Sequence, residues 1–483
     1  MKTKPYAHQQ RVLASTWDLP HYALFMDQGT GKTKIAIDTF DLLATNHKHR
    51  FDLLLVVAPN GVQRNWINKE LPIHGSGPVY ATHIYRGMTT KAEDKEVKHF
   101  VKRMERGMPG VFSINIEALR PTGKKRSRAW LLVNSLLKEF VTLMVVDEST
   151  IIKNPKAKQT EAVLDLAPLA SARRILSGTP LAQSPLDAWS QMTFLDENFW
   201  PHGSWTAFKA DFAIESLERT AGNKRYFKVQ GYRNLDKLQN LIGRASIRIT
   251  KEECLDLPPK TYMIREVALT GAQKKAYEEL RATAMTMIRD EIVTASNALS
   301  LLQKFHRITL GHVVTDDGEE HELPTNRLGA VEQIVGELPI DEKIIIWAYY
   351  KTDMRRLARF IREDMGMHGV LYYGDVSNND REMALDRFRH NDACRFFIAN
   401  KAASRGLTLT EASTVIYYSN SYSLEDRLQS EDRNHRIGQD KKVVYHDLMV
   451  PDTVDEKIYG ALRDKRNLSS DLMKGITKLG DLI

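Results

Sequence analysis

The chain reads as an α/β protein built from two parallel-sheet lobes in tandem. Short, almost unbroken apolar runs recur along it, as expected of strands covered on both faces. Helical stretches separate these runs, which is the alternation that parallel sheets require. The alternation occurs twice, over residues 1–195 and again over 326–483, with a mainly helical stretch of insertions over 196–325. A length of 483 residues fits that division, because single cores stop growing well short of it.

Composition is that of a globular protein, with 42% hydrophobic and 27% charged residues. No apolar run approaches the ~20 residues that cross a bilayer, so no membrane partner is expected. The opening Met-Lys-Thr-Lys-Pro-Tyr lacks the apolar core of a signal peptide. Cys254 and Cys394 stand far apart, outside any Cys-x-x-Cys spacing. They argue against a disulfide scaffold or a cysteine-rich zinc site, and they suit a reducing cytoplasm. A net charge of +8 is compatible with a polyanionic partner but does not select one.

Lys4-Pro5-Tyr6-Ala7-His8-Gln9-Gln10 leads into a helix that runs to about Thr16. It is either a plain surface helix or the carrier of Gln9, whose amide offers adenine a paired donor and acceptor. Residues 22–25 form the first strand, and a helical pattern runs from Lys32 to about Ala44. Between them lies Asp27-Gln28-Gly29-Thr30-Gly31-Lys32-Thr33. A glycine turn between strand and helix aims backbone N–H groups at one point, where the helix dipole also favours an anion. In such a loop Gly29, Thr30 and Gly31 cradle phosphate, Lys32 reaches the β/γ-phosphates of ATP, and the Thr33 hydroxyl holds Mg²⁺. A complete P-loop has glycine where Met26 stands, so an ordinary glycine turn remains the alternative reading.

Residues 53–57 are the second strand, closed by Ala58-Pro59-Asn60. The helix after it carries Asn65-Trp66, and Trp66 reads as a packing residue in preference to a base-stacking one. Residues 111–115 make a third strand. Arg120, Lys124, Lys125, Arg126 and Arg128 then form a basic run, either a solvated loop or a contact for backbone phosphates. Residues 141–146 are nearly all apolar and end in Asp147-Glu148, at the carboxyl end where open α/β sheets place ligands. There Asp147 can hold Mg²⁺ while Glu148 activates water. A P-loop followed by an apolar strand ending in Asp-Glu marks a nucleoside triphosphatase. The strand at 174–176, ending in Ser177-Gly178-Thr179-Pro180, closes the first lobe.

From Asp196 to about Arg327 strand signals thin out and helical ones dominate, notably over 271–292 and 294–308. Asp316-Asp317-Gly318-Glu319-Glu320 is acidic, turn-rich and the best linker candidate. The second alternation follows: a strand at 343–347, a helix from Asp353 to about Arg362, and strands near 371–374, 395–399, 415–418 and 443–445. This half has no second P-loop and no second Asp-Glu strand end, so it is expected to assist the first lobe's site. In the stretch from Ser423 to Gly438, Ser423 and Asp426 make a capping box and Gly438 a helix stop. Arg433 and Arg436 fall on one face of that helix. Such a pair can stabilise a transferring γ-phosphoryl group. The alternative is that they pair with Glu431 and Asp432 on an exposed helix.

Several motifs stand in one order: His8-Gln9, Asp27 to Thr33, Asn65-Trp66, Asp147-Glu148 with Ile152-Lys153-Asn154, and Ser177 to Leu181. They continue with Ser404-Arg405-Gly406-Leu407-Thr408-Leu409, with Gln429 to Arg433, and with His435-Arg436-Ile437-Gly438-Gln439. Through them the chain, from Pro5 to about Ile458, resembles the Swi/Snf-type branch of the superfamily-two helicase-like ATPases. The stretch from Ile247 to Lys260 looks like that branch's junction after its first lobe, and small one-piece members are familiar from bacteriophages. The resemblance implies two RecA-like lobes with helical protrusions, ATP in the cleft and duplex DNA lying across both lobes. It also implies ATP-driven translocation along double-stranded DNA, usually without unwinding. Gln28 departs from the usual Met, and Thr408 stands where the family often has Asn. No bromodomain, zinc finger or chromatin-reading segment has room here, so a nucleosome target is not expected.

The expected activity is thus a DNA-stimulated ATPase with Lys32, Asp147, Glu148, Arg433 and Arg436 in catalytic roles. Gln9, Gly29, Thr30, Gly31, Lys32 and Thr33 would hold ATP, and Thr33 and Asp147 would hold Mg²⁺. A relay through Ser177 to Pro180 would couple the site to the DNA track. Its expected setting is the cytoplasm of a bacterium or a phage-infected cell. The enzyme rival is a strand-separating or annealing, fork-remodelling helicase with the same site. The other is a non-enzymatic DNA-binding adaptor, against which the intact site residues argue.

Overall fold

The computed structural model describes residues 2–46, 50–76, 79–87, 91–123, 125–219, 225–289, 295–315, 317–403 and 407–474. By internal contact the chain divides into two units, one of Met1–Ile214, Gly231–Asp256 and Asn467–Ile483, the other of Glu215–Gln230 and Leu257–Arg466.

In the first unit, β1 (His21–Met26), β2 (Leu53–Ala58), β3 (Ala81–Ile84), β4 (Gly110–Asn115), β5 (Thr142–Asp147) and β6 (Ala172–Ser177) are strands. A two-stranded sheet follows in the chain, of β7 (Ala213–Arg219) and β8 (Arg225–Tyr232), most of which falls in the second unit, and then β9 (Ser246–Ile249) of the first. The main sheet has the order β3-β4-β2-β5-β6-β1-β9, and every pairing in it is parallel. β2, β5 and β6 are buried at every position, as helices on both faces require. Helix Lys32–Thr45 packs Ile35, Ala36 and Phe40 against Leu24, Val56, Val145 and Leu176, which places its first turn at the carboxyl ends of these strands.

The second unit contains β10 (Lys260–Glu266), a small antiparallel ribbon of β11 (His312–Val314) and β12 (Glu320–Glu322), and five further strands. These are β13 (Ile344–Trp347), β14 (His368–Tyr372), β15 (Cys394–Ala399), β16 (Thr414–Tyr417) and β17 (Val443–Met449). Its sheet runs β10-β17-β16-β13-β15-β14, again parallel throughout. Helix Lys351–Glu363 buries Met354, Leu357 and Ile361 on one face and turns Arg355, Arg359 and Arg362 outward, the spacing of an amphipathic helix. The fold class is two parallel-sheet α/β lobes with helices between strands. Among the described residues no helix is long and apolar enough to cross a membrane.

Two features of the middle stretch differ from the sequence reading. The helices Gly271–Arg289 and Ala295–Leu310 are present, but the same stretch also supplies β7 to β10. The acidic segment is the turn of the β11–β12 ribbon and not a linker, with Thr315 N donating to Glu319 O. Asp316 itself lies outside the described residues. One passage from the first unit to the second falls after Asp256, within the stretch from Ile247 to Lys260 that the family resemblance marks as a junction.

Candidate nucleotide site

In the sheet of the first unit β5, β6 and β1 are neighbours, and their carboxyl ends deliver Asp147, Ser177 and Met26 to one edge. The turn after β1 bends at Gly29 and Gly31, with φ of +84° and +93°, a region that glycine enters at little cost. Gly31 is also pressed by a neighbour: a Cβ there would lie 2.1 Å from Gln9 Nε2. Gln9 Nε2 donates to the Thr30 carbonyl at 3.1 Å, and His8 Nε2 lies 2.8 Å from the same oxygen. Gln9 Oε1 accepts from the Tyr6 amide at 3.0 Å, which fixes the side chain, while the second N–H and the second lone pair of the amide are not used by these bonds. Thr30 Oγ1 closes the turn on Asp27 O at 2.7 Å. Lys32 is buried, its ammonium donating to the carbonyls of Met26 at 2.8 Å and Asp27 at 3.3 Å. Thr33 follows in the first turn of helix Lys32–Thr45.

Asp27 holds the loop from the other side. Its carboxylate accepts from Arg248 at 2.6 Å and from the Lys251 amide at 3.0 Å. Arg248 also donates to the carbonyls of Phe25 and Gly178, stitching β9 to the ends of β1 and β6.

Asp147, at the end of β5, is 6% exposed. Trp66 Nε1 donates to its Oδ2 at 2.8 Å and the Glu148 amide to its Oδ1 at 2.9 Å. Burial raises its pKa above the ordinary carboxylate range, while the Trp66 N–H, the Lys32 charge and the Glu148 amide pull it back. Glu148 sits at φ +50°, uncommon outside glycine and a conformation that clusters at functional sites. Gln28 Nε2 reaches Glu148 Oε1 at 3.4 Å, so the glycine loop and the Asp-Glu pair meet. Thr33 and Asp147 offer hard oxygen ligands, the kind Mg²⁺ takes when phosphates and waters complete its shell. Among the described residues no group of three or more His, Cys, Asp or Glu could cage an ion. A cation here would therefore share nucleotide oxygens, and the donor set fits Mg²⁺ on those terms.

The Ser177 to Pro180 turn packs onto the loop, where a Cβ on Gly178 would lie 3.3 Å from Gln28 N. Buried Gln191 ties this turn to the Asp-Glu strand end. Its Nε2 donates to Pro180 O and Asp187 O, both at 2.8 Å, and its Oε1 accepts from Ser149 Oγ at 2.6 Å. Sequence reading expected a relay here without finding Gln191. The available signal was a glutamine flanked by Trp189, Met192, Phe194 and Leu195 in a mainly apolar helix, since a buried amide needs partners.

In the second unit the helix carrying the paired arginines is shorter than its pattern suggests. Ser423 caps it as expected, but it spans Leu424–Glu431, and Arg433 and Arg436 lie in the turns that follow. Just beyond the helix end, Arg433 O accepts from Leu409 N at 2.8 Å instead of from the next helical turn. The two guanidinium groups still converge, both donating to Leu407 O, at 3.0 Å from Arg433 and 3.3 Å from Arg436. Glu431 is engaged elsewhere, by Arg427 at 2.9 Å, Lys260 at 3.3 Å and Arg466 at 2.7 Å. Burial alone would raise its pKa, but these three cations hold it well below the usual range. Ser404, Arg405 and Gly406 lie outside the described residues, as does Lys124 of the basic run. Arg126 of that run pairs with Asp165 and lies 4.8 Å over the Trp130 ring.

A model described as SNF2-related domain matches residues 8–310, and one described as helicase conserved C-terminal domain matches 326–438. The chain is 25% identical over 461 residues to the putative ATP-dependent helicase/translocase YwqA of Bacillus subtilis (strain 168), covering 93% of this chain and 46% of that protein. It is 23% identical over 459 residues to the DNA annealing helicase and endonuclease ZRANB3 of Bos taurus, covering 93% of this chain and 38% of that protein. The chain spans less than half the length of these relatives. A solved Sulfolobus solfataricus SWI2/SNF2 ATPase core in complex with dsDNA is 24% identical with a TM-score of 0.42, covering 100% of this chain and 94% of that one.

Proposed function

The chain belongs to the SNF2-related family of helicase-like ATPases, and from that premise we propose that it hydrolyses ATP to move along double-stranded DNA. One observation carries the reading: the glycine loop and Asp147-Glu148 meet at the carboxyl ends of β1 and β5, across β6, joined through Gln28 and Glu148. Mg²⁺, when bound with ATP, supplies charge neutralisation on the phosphates. Thr33 and Asp147 are the residues that would hold it. Lys32 exchanges its hold on the Met26 and Asp27 carbonyls for the β/γ-phosphates. Glu148 accepts a proton from the attacking water as general base. Gln9 braces the loop through Thr30, and the second N–H and second lone pair of its amide would meet adenine.

Arg433 and Arg436 meet the γ-phosphoryl group when the two lobes close on ATP, so that hydrolysis depends on closure. The grip on DNA is through backbone phosphates and independent of sequence, in keeping with a net charge of +8. The basic run from Arg120 to Arg128 would contribute to this grip, with Arg126 first exchanging Asp165 for phosphate. The setting is the cytoplasm of a bacterium or of a phage-infected cell. A second reading, an annealing or fork-remodelling helicase, uses the same site and takes support from relatives named for that activity.

ATP turnover measured with duplex, forked and single-stranded DNA and with RNA separates the readings. Duplex DNA is expected to stimulate most. Forked DNA far above plain duplex would favour the second reading, and preference for RNA or single strands would overturn both.

A further inference from the structure

Trp66 lies outside the phosphate loop and the Asp-Glu pair, yet it holds one of their atoms. Its ring is 1% exposed, and its indole N–H donates to Asp147 Oδ2 at 2.8 Å. It also opens a π-helical segment, Trp66–Glu70, set between the α-helical turns Val62–Asn65 and Leu71–His74. The Leu71 amide closes that wide turn on Trp66 O. π-Turns are rare, and they occur frequently at functional sites because they re-aim a side chain without ending the helix.

The bond has a specific consequence for Asp147. Each carboxylate oxygen accepts one N–H, Oδ1 from the Glu148 amide and Oδ2 from Trp66, which fixes the carboxylate's rotation. Each oxygen keeps acceptor capacity on its remaining lone pair. An indole donor brings no formal charge, so it orients the carboxylate without competing with a cation as Lys or Arg would. Packing alone would be served by any large apolar ring.

Building on the ATPase reading given above, we propose that Trp66 is a positioning residue for Mg²⁺. Its N–H fixes the Asp147 carboxylate in the orientation that receives the nucleotide-bound ion, so Trp66 sets metal affinity without touching metal or nucleotide. Loss of such an outer partner typically costs about 10- to 100-fold in metal affinity.

The test is calorimetric titration of the full chain with ADP, in Mg²⁺ and in EDTA, for wild type and for Trp66→Phe. The variant is expected to match the wild type without metal and to lose about 10-fold or more of the affinity that Mg²⁺ adds. In an Asp147→Asn background, Trp66→Phe should add no further loss. Should Trp66→Phe disturb folding, site-specific replacement of Trp66 by benzothienylalanine keeps the bicyclic shape and removes only the N–H. That replacement should reproduce the loss of the Mg²⁺ increment. An unchanged Mg²⁺ increment in either variant overturns the proposal, as does equal loss with and without metal. If the wild type itself gains nothing from Mg²⁺, or Asp147→Asn leaves the gain intact, it is the underlying site assignment that fails.

Discussion

Gly31→Ala is a sensitive probe of the phosphate loop, because two independent penalties meet at that position. At φ +93° an L-residue pays about 1–2 kcal/mol for a left-handed backbone. The new Cβ would also lie 2.1 Å from Gln9 Nε2 and 3.0 Å from its Cδ, so Gln9 must withdraw. Withdrawal breaks its hydrogen bond to Thr30 O, worth about 1 kcal/mol. The sum, about 2–3 kcal/mol, corresponds to about 30- to 150-fold weaker binding of a nonhydrolysable ATP analogue if it falls on the binding-competent loop. Gly29 provides the control, since it has φ +84° but nothing within 4 Å of its Cβ position. Gly29→Ala should therefore show only the backbone part of the loss. Measured against a Gln9→Ala background, the Gly31→Ala loss should shrink, because Gln9 and its hydrogen bond are already absent, while the Gly29→Ala loss should stay the same. Equal losses at Gly29 and Gly31, or no relief from Gln9→Ala, would refute the steric argument.

Three further predictions address chemistry and stability. Glu148→Gln should retain ATP binding and lose turnover, whereas Lys32→Ala should lose both, measured by nucleotide titration and phosphate release. Near wild-type turnover in Glu148→Gln would remove Glu148 as the base. Arg433→Ala or Arg436→Ala should lower kcat by about 10³-fold or more with little change in nucleotide affinity, and normal turnover in both would end the arginine role. Burial holds the His306 pKa down at about 4 despite nearby Asp455, so the imidazole is neutral in the fold and protonates more readily when unfolded. The resulting stability is fully present above about pH 6.5 and is lost as pH falls toward 4, on the order of 3 kcal/mol in all. Denaturant titrations at pH 7.5 and 4.5 should show a smaller pH difference in His306→Gln than in wild type, and an identical difference would rule this out.

What the sequence made legible was whatever is local and covered on both faces. β2, β5 and β13 are buried throughout, so their apolar runs are continuous. β3 and β9 are short edge strands, and β8 reads Arg-Tyr-Phe-Lys and is largely exposed, so periodicity did not mark them. The glycine loop and the Asp-Glu pair are contiguous and could be read directly. Their supports are not, since Trp66 meets Asp147 across 81 positions and Arg248 meets Asp27 across 221. The helix before Arg433 was read too long for a related reason. A tertiary bond from Leu409 to Arg433 O takes up the backbone just past its end, and capping residues alone do not announce such a bond.

Displacement of a triplex-forming third strand from duplex DNA tests translocation most directly, because release of that strand requires a motor to pass beneath it. The account predicts ATP-dependent release that Lys32→Ala abolishes, with the underlying duplex left paired. Absence of release under conditions where duplex DNA stimulates ATP turnover would contradict it, and so would efficient ATP-dependent unwinding of a plain tailed duplex.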